Sequence, residues 1–244
     1  TGEYIAFVDG DDYIDPTMYE KLVAKMTDDV DIAFCYIQSD YSNGTVKVWI
    51  DEGLKEAIKK PWDIRPLLCW MMELKASNGE LVKSMGATSC LSIFRKSIID
   101  NFYLRYPVGI KMGEDRLFMM SYLSVCKRGA LVEEPLYHYC RVRIDSATAN
   151  AYKTYLDFEH EKKRYLLKKE IVNQNEYYTQ EEKDFLALHL GHELYFTYFN
   201  TQIRYNSHYK EKLKEVRKDE IIQAITKTLS IRRLRETGYA WKNI

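Results

Sequence analysis

The sequence lacks a net charge: 36 lysine and arginine residues balance 36 aspartate and glutamate residues over 244 positions. A chain that binds nucleic acid through its phosphates usually carries an excess of basic residues. The balance therefore gives no indication of a nucleic-acid partner or of an acidic polymer as ligand. The chain is long enough to bury a sizeable core, either as one large domain or as a domain with an appendage.

Paired cysteines and long apolar runs are also missing. The five cysteines are odd in number, lie far apart and include no C-x-x-C pair. This distribution argues against a disulfide framework and against a zinc site, and it favours reduced thiols and a cytoplasmic location. No apolar stretch approaches the length of a transmembrane helix.

The most informative segment present is an apolar run, Tyr4–Asp12, that ends in three carboxylates around one glycine. We predict a strand whose last buried residue is Val8 and whose end presents Asp9 and Asp11. Open α/β sheets bind ligands at this edge of their strands. Carboxylates without neighbouring Cys or His suit Mg²⁺ or Mn²⁺, and substrate phosphates usually complete the coordination of such an ion. The segment therefore predicts an enzyme that acts on a phosphorylated substrate.

Two other interpretations of this segment need no phosphate chemistry. Asp15 followed by Pro16 makes a good helix start, but this leaves the acidic cluster before it unexplained. A calcium loop of the EF-hand type needs glycine at the position of Ile14 and a helix, not a strand, before it. We reject the calcium loop on those grounds.

Hydrophobic periodicity predicts two regions of different character. Up to about residue 150, short apolar runs alternate with helical patterns, which indicates an α/β fold. From about residue 151, charged stretches carry Tyr, Leu and Phe at helical intervals. We predict an α/β region over residues 1–150 and a helical appendage of three or four helices over residues 151–244.

A second pair of acids, Glu114 and Asp115, follows Gly113 at a predicted helix start. Acids in a first helical turn stabilise a helix by about 0.3 to 1 kcal/mol and need no other role. Beside Asp9 and Asp11, however, one of them could deprotonate a nucleophile. A helix N-terminus lowers the pKa of a carboxyl group, so we expect this base to be ionised but weak.

Three segments of the sequence share a pattern with one known family. They are Tyr4–Ile14, Gly113–Phe118, and Pro135–Tyr139 followed by Arg141, Arg143 and Ser146. In order and approximate spacing they resemble the D-x-D region, the later E-D motif and the aromatic-basic segment of family 2 glycosyltransferases. Those are inverting enzymes of the GT-A fold that use nucleotide-sugar donors. The resemblance implies a GT-A-like mixed, mostly parallel sheet flanked by helices, with a C-terminal helical appendage.

The resemblance implies roles for the four acids. Asp11 is the candidate ligand of a Mg²⁺ or Mn²⁺ ion, and Asp9 contacts the metal or the donor ribose. Asp115 is the candidate general base that deprotonates the acceptor hydroxyl. Glu114 beside it orients the acceptor.

The resemblance also implies a donor-binding role for basic residues near the last core strand. Arg141 and Arg143 are candidates to grip the diphosphate, a role suited to the guanidinium fork. His138 could assist them, although a histidine flanked by tyrosines on a strand is at least as often a packed structural residue. In many relatives an arginine directly follows the aromatic triplet, whereas here Cys140 intervenes.

Family members normally begin with a strand-helix-strand half that holds the nucleotide base and that ends just before the segment opening this chain. We therefore expect residues 1–150 to be the catalytic and acceptor part of a longer protein. Expressed alone, the 244 residues should be insoluble or inactive.

The function implied is a metal-dependent transferase that moves a sugar from a nucleotide-diphosphate donor, first of all a UDP-sugar, to a glycan or lipid-linked acceptor. Bacterial surface polysaccharide synthesis is the usual setting. One alternative is a phosphohydrolase of the haloacid dehalogenase type with Asp9 as nucleophile, although Tyr13 stands where that motif has Thr or Val. The other is a non-enzymatic assembly module.

Two further segments bear on partners. The basic segment Ser230–Arg235 fits either peripheral contact with an anionic membrane surface or one exposed helix turn. His189 and His192 lie at a spacing that can hold a metal on a helix, but we expect a solvated helix face there. A homo-oligomer is left open.

Overall fold

The computed structural model describes residues 2–58, 88–141, 153–154, 156–176 and 178–228. The chain forms two compact units. The described residues of the first unit lie in 2–58, 88–107 and 114–141, and those of the second lie in 108–113 and from 153 onward. Arg143 and the segment Ser230–Arg235 fall outside the described residues.

The first unit is built on a mixed sheet. Its described strands are β1 Tyr4–Ala6, β2 Tyr13–Ile14, β3 Ile32–Tyr41, β4 Val46–Trp49, β5 Ser92–Arg95 and β6 Gly129–Arg141. They pair in the order β1-β5-β3-β6-β2, and β4 pairs with β3. The mixed α/β fold class is confirmed, with helices flanking the sheet.

The pairing differs from the mostly parallel one expected. Among the described strands only β3 and β6 pair in parallel, and the other four pairs are antiparallel. The reason is that β5 lies between β1 and β3 and runs against both. Strands β1, β3 and β6 still share one direction, so their carboxyl ends lie at the same edge of the sheet.

The long pair β3–β6 is irregular at its centre. Val132 pairs with Cys35, but the next partner, Pro135, lies opposite Tyr36. A proline has no N–H to donate, and a bulge is one of the few places where a sheet accepts it. Beyond the bulge Tyr137 is 1% exposed and belongs to the hydrophobic core.

Helices cover this sheet. The first unit contains α1 Met18–Val23, α2 Glu52–Ile58, a 3₁₀ turn Ser89–Leu91, α3 Lys96–Asn101 and α4 Glu114–Leu123. Helix α1 buries Met18 and Leu22 in the core beside Tyr137. On α4 the buried face includes Leu117 and Phe118.

The second unit is helical, as predicted. Its described helices are α5 Phe158–Gln174, α6 Gln180–Tyr205, α7 Tyr209–Val216 and α8 Glu220–Thr228. Helix α6 begins with a capping box, in which Thr179 and Glu182 satisfy each other's backbone N–H groups. The expectation of a solvated face at His189 and His192 is wrong: both are buried, because neighbouring helices pack on α6. Of the described helices, none combines the length and apolar character needed to cross a bilayer.

The loop 108–113 is fastened to α5 within the second unit. His160 accepts a hydrogen bond from the backbone N–H of Lys111 at 3.1 Å. Arg164 donates to both carboxylate oxygens of Glu161 at 2.9 Å, and all three of these α5 side chains are buried. The backbone of Gly113 packs against this fixed guanidinium group, with a φ of 81°.

Gly113→Ala should therefore destabilise the protein more than Gly44→Ala. Both glycines have a positive φ, 81° and 79°, which costs an alanine about 1 kcal/mol. A Cβ at Gly113 would lie 2.9 Å from Nη2 of Arg164, whereas one at Gly44 would meet nothing within 4 Å. We expect the clash to add about 1 to 3 kcal/mol, measured as the shift of the urea midpoint. Equal losses for the two variants would contradict the packing described.

Candidate functional site

The acidic turn follows β1 at the edge of the sheet where β1, β3 and β6 end. The backbone N–H of Asp12 donates to the carbonyl of Asp9 at 3.1 Å and closes the turn. Asp9 and Asp11 are exposed, and Asp12 is half-buried. Val8 is also exposed, against the expectation that it is buried. The two carboxylates assigned to metal and donor are thus accessible.

Asp12 differs from the other two acids because its side chain forms hydrogen bonds with residues of β6. Its carboxylate accepts hydrogen bonds from the hydroxyl of Tyr137 at 2.7 Å and from the backbone N–H of Cys140 at 2.9 Å. The same Tyr137 hydroxyl accepts from the backbone N–H of Asp9 at 3.3 Å. Burial raises the pKa of Asp12, although both of its hydrogen bonds favour the ionised form.

Four aromatic rings join the turn to the helix that carries the second acidic pair. Phe7 lies in the apolar run just before the turn, and its ring centroid lies 5.7 Å from that of Phe94 on β5 and 5.5 Å from that of Phe118 on α4. Tyr106 stacks on Phe118 at 4.7 Å. We call these residues, Phe7, Phe94, Tyr106 and Phe118, the aromatic cluster. Edge-to-face and stacked packing of this kind fixes the positions of the elements that carry the rings.

Asp115 lies in the first turn of α4, where Oδ1 accepts from the backbone N–H of Arg116 at 2.7 Å. Burial first of all, together with the neighbouring charges of Glu114 and Asp9, raises the pKa of Asp115 to about 6. The expectation of a weak base with a lowered pKa is therefore wrong. Desolvation and two like charges outweigh the favourable helix N-terminus.

His138 on β6 is ordered by residues on two neighbouring strands. Its ring stacks on Tyr13 with centroids 4.3 Å apart, and Nδ1 lies 3.1 Å from Oδ2 of Asp40. The Tyr13 hydroxyl donates to that same oxygen at 2.5 Å, which raises the pKa of Tyr13 to about 12. Burial opposes ionisation of Asp40, but hydrogen bonds from Tyr13, Gln38 and His138 lower its pKa overall. His138 is thus packed and oriented, and one ring nitrogen faces a carboxylate.

Arg141 ends β6 and is exposed. Its guanidinium carbon lies 5.0 Å from the ring centroid of Tyr139 and 5.8 Å from that of Tyr41. These contacts hold the charge near aromatic faces and leave the guanidinium accessible to an anion. Asp12 accepts a hydrogen bond from the backbone N–H of Cys140, the residue directly before Arg141.

The structure brings Asp9 and Asp115 close enough for the charge of one to raise the pKa of the other. Asp9, Asp11 and Arg141 follow or end strands that point to the same edge of the sheet. Over the described part of the chain, no three His, Cys, Asp or Glu side chains are grouped so as to hold a metal ion. Asp9 and Asp11 would therefore need oxygen ligands from a substrate, as Mg²⁺ sites on phosphates commonly do.

Asp40 and Gln38 are site neighbours that the sequence interpretation missed. They lie at the end of β3, a strand that is buried over its first residues. The available signal was the change from apolar residues to Gln38-Ser39-Asp40, which repeats the pattern of the β1 run on a second strand of the same direction.

Residues 1–102 match the family model described as "Glycosyl transferase family 2". This part of the chain is thus similar to family 2 glycosyltransferases. The match includes the acidic turn and strands β1 to β5, and it ends before Glu114, Asp115 and β6. Roles for those later residues rest on the motif resemblance and on the geometry above.

Two curated relatives also carry glycosyltransferase descriptions. EpsH of Bacillus subtilis (strain 168), which carries a glycosyltransferase description, is 23% identical over 193 residues, 77% of this chain and 52% of EpsH. EpsJ of the same organism, also described as a glycosyltransferase, is 26% identical over 178 residues, 70% of this chain and 47% of EpsJ. The chain thus spans about half the length of these curated relatives.

Residues 1–349 of S. aureus TarS in complex with UDP-GlcNAc are similar in structure, with a TM-score of 0.66 at 17% identity. The similarity covers 96% of this chain and 62% of that one. The complex of TarS with UDP gives a TM-score of 0.57. These similarities support the GT-A-like fold predicted.

Asp115→Asn should stabilise the protein near neutral pH. The pKa of Asp115 in the folded protein, about 6, lies above its ordinary value of 3.8, so folding disfavours the carboxylate. Stability therefore declines as pH rises from about 4 to about 6 and then levels off. The variant lacks this decline and should be about 1 to 2 kcal/mol more stable at about pH 7.5, with the gain vanishing towards pH 4. Urea denaturation across this pH range measures it.

Asp28 is exposed, and Asp28→Asn is the matched control. This substitution should leave the stability unchanged both at about pH 4 and at about pH 7.5. If wild type and Asp115→Asn have the same free energy of unfolding at every pH in this range, burial does not raise the pKa of this carboxyl group.

Proposed function

We propose that this chain is the catalytic and acceptor-binding part of a metal-dependent inverting glycosyltransferase that uses a UDP-sugar donor. The observation that carries the proposal is the pairing of an exposed D-x-D turn with Asp115, whose pKa is raised to about 6 by burial and by neighbouring carboxylates. A donor that brings phosphates and a cation to one side of such a site places its sugar beside a general base.

Donor binding is assigned to the turn and to the end of β6. Asp11 would hold a Mg²⁺ or Mn²⁺ ion, with Asp9 on the metal or on the ribose. When bound, the ion would stabilise the negative charge of the leaving diphosphate. Arg141 would contact the diphosphate, with Arg143 and His138 as further candidates. The UDP and UDP-GlcNAc complexes of TarS support a uridine nucleotide as the first donor to test.

The proposed reaction is a single displacement. The acceptor hydroxyl gives its proton to Asp115, and its oxygen forms a bond to the anomeric carbon of the sugar. The bond from that carbon to the β-phosphate oxygen breaks, and the electron pair leaves with UDP. One base suffices, and the anomeric configuration inverts. Glu114, next to the base in sequence, would orient the acceptor.

The raised pKa suits this role. A carboxyl group with a pKa of about 6 is mostly ionised at neutral pH. Its conjugate base is also a stronger proton acceptor than that of an ordinary aspartate, and catalytic efficiency is greatest when the pKa lies near the working pH. Burial of Asp115 thus raises its basicity, whereas the helix N-terminus alone would lower it.

Acceptor and setting are proposed on the family resemblance. A glycan or lipid-linked acceptor in bacterial surface polysaccharide synthesis fits the glycosyltransferase descriptions of the two Bacillus relatives. A cytoplasmic protein with peripheral membrane contact would meet both a nucleotide-sugar and a lipid-linked acceptor. The match of residues 1–102 to the glycosyltransferase family model disfavours the phosphohydrolase alternative, in which Asp9 would become phosphorylated.

Metal-dependent nucleotide binding is the direct test of this proposal. Calorimetric titration of UDP with Mn²⁺ into the full-length protein should give binding that EDTA abolishes. Asp11→Asn should weaken the binding at least about a hundredfold, because one of two protein carboxylates on the metal is lost. The control Asp28→Asn, a change of the same chemistry on an exposed turn, should bind like wild type. Binding that survives both EDTA and Asp11→Asn would contradict a metal role for the turn.

A further inference from the structure

The third acid of the turn and a buried tyrosine are not used by the proposed reaction. We propose that Asp12 and Tyr137 are positioning residues, which hold Asp9 and Asp11 in register with Arg141 at the end of β6. The inference rests on the proposed function and extends it. Neither residue is assigned to contact the donor.

Tyr137 is the fixed partner of this pair. Its ring is 1% exposed and lies in the core with Met18 and Leu22 of α1. Its strand neighbours are Ile14 on β2 and Ile37 on β3. The ring is therefore enclosed by a helix and two strands, and its hydroxyl has little freedom to move.

The hydroxyl of Tyr137 makes two hydrogen bonds with the turn, one in each direction. It accepts from the backbone N–H of Asp9 at 3.3 Å and donates to Oδ2 of Asp12 at 2.7 Å. Because a hydroxyl has one proton, these two contacts use it as donor once and as acceptor once. Asp11 lies between the two residues that are held, so its backbone is fixed at both sides.

Asp12 extends the connection to the basic end of β6. Its other oxygen, Oδ1, accepts from the backbone N–H of Cys140 at 2.9 Å. Arg141 follows directly. One carboxylate thus joins the acidic turn and the residue proposed to contact the diphosphate, and the spacing of the two sides of the donor site depends on it.

A second set of contacts fastens the chain immediately after Asp12. The hydroxyl of Tyr13 donates to Asp40 at 2.5 Å, and its ring stacks on His138. The backbone N–H of Asp15 donates to the carbonyl of Leu136 at 2.8 Å. These contacts hold the chain after the turn on β6, so loss of the Tyr137 hydroxyl should loosen the turn without detaching β2.

The rival interpretation is that Asp12 is a metal ligand like Asp11. Each of its oxygens accepts one of the hydrogen bonds described above and has a further lone pair. The two interpretations predict different results for Asp12→Asn, which neutralises Asp12 and leaves the carboxylates of Asp9 and Asp11 in place. A ligand role predicts a loss as large as that of Asp11→Asn, whereas a positioning role predicts a loss no larger than that of Tyr137→Phe.

The test is a double-mutant cycle in the full-length protein, with UDP and Mn²⁺ as probes. Tyr137→Phe and Asp12→Asn should each weaken calorimetric binding of UDP with Mn²⁺ about tenfold, and the double variant should be no weaker than the worse single one. In sugar release from the donor, both should raise KM and leave kcat within about threefold, because Asp115 is untouched.

Tyr36→Phe is the matched control. Tyr36 is a buried tyrosine on β3, and its hydroxyl has no hydrogen-bond partner among the described residues. It should bind UDP with Mn²⁺ like wild type. Thermal melting of all variants checks folding, and if Asp12→Asn does not fold, Tyr137→Phe that binds like wild type still overturns the inference.

Two results would overturn the inference. The first is that the Tyr137→Phe variant binds UDP with Mn²⁺ as tightly as the Tyr36→Phe variant does. The second is Asp12→Asn that abolishes metal-dependent binding as Asp11→Asn does, with an independent effect of Tyr137→Phe. A wild-type protein that binds no UDP overturns the proposed function, and the positioning role falls with it.

Discussion

Packing of the aromatic cluster is the constraint on which the candidate site depends. Phe7 lies two residues before Asp9, and Phe118 lies three residues after Asp115. Because the rings of Phe7 and Phe118 are in edge-to-face contact at 5.5 Å, the strand and the helix cannot separate without losing that contact. Two carboxylates repel each other, and packing of nearby apolar rings offsets this repulsion by about 0.5 to 1.5 kcal/mol per aromatic pair.

The shared direction of three strands brings Arg141, the basic residue of the candidate site, to the same edge of the sheet as the acidic turn. Strands β1, β3 and β6 run the same way, so the acidic turn, Asp40 and Arg141 all lie at their carboxyl ends. The aromatic cluster connects the turn to Asp115, and the hydrogen bonds of Asp12 connect it to β6. The elements that carry the proposed donor-binding residues and the proposed base are thus joined to one turn, which is the arrangement a displacement reaction on a phosphorylated donor would require.

What the sequence predicts well is local. The carboxylates Asp9 and Asp11 at a strand end, and Glu114 and Asp115 at a helix start, follow from a few adjacent residues. Strand direction does not, because an apolar run is the same pattern in either direction; hence the antiparallel β5 was not foreseen. The pairing of His138 with Asp40 joins residues 98 positions apart, and the raised pKa of Asp115 comes from burial that no helix-start pattern reports.

The pH dependence of kcat for donor hydrolysis tests the account most directly, since it reports the base in the assembled site. UDP release to water, at saturating donor and Mn²⁺, needs no knowledge of the acceptor. With a pKa of about 6 for Asp115, kcat should fall about tenfold per pH unit below that value and level off above it. Asp115→Asn should lose at least about a thousandfold on this plateau, and its rate should not fall with pH in the same way. A rate that is flat between about pH 5 and 8, or that survives Asp115→Asn, would contradict the assignment of the base.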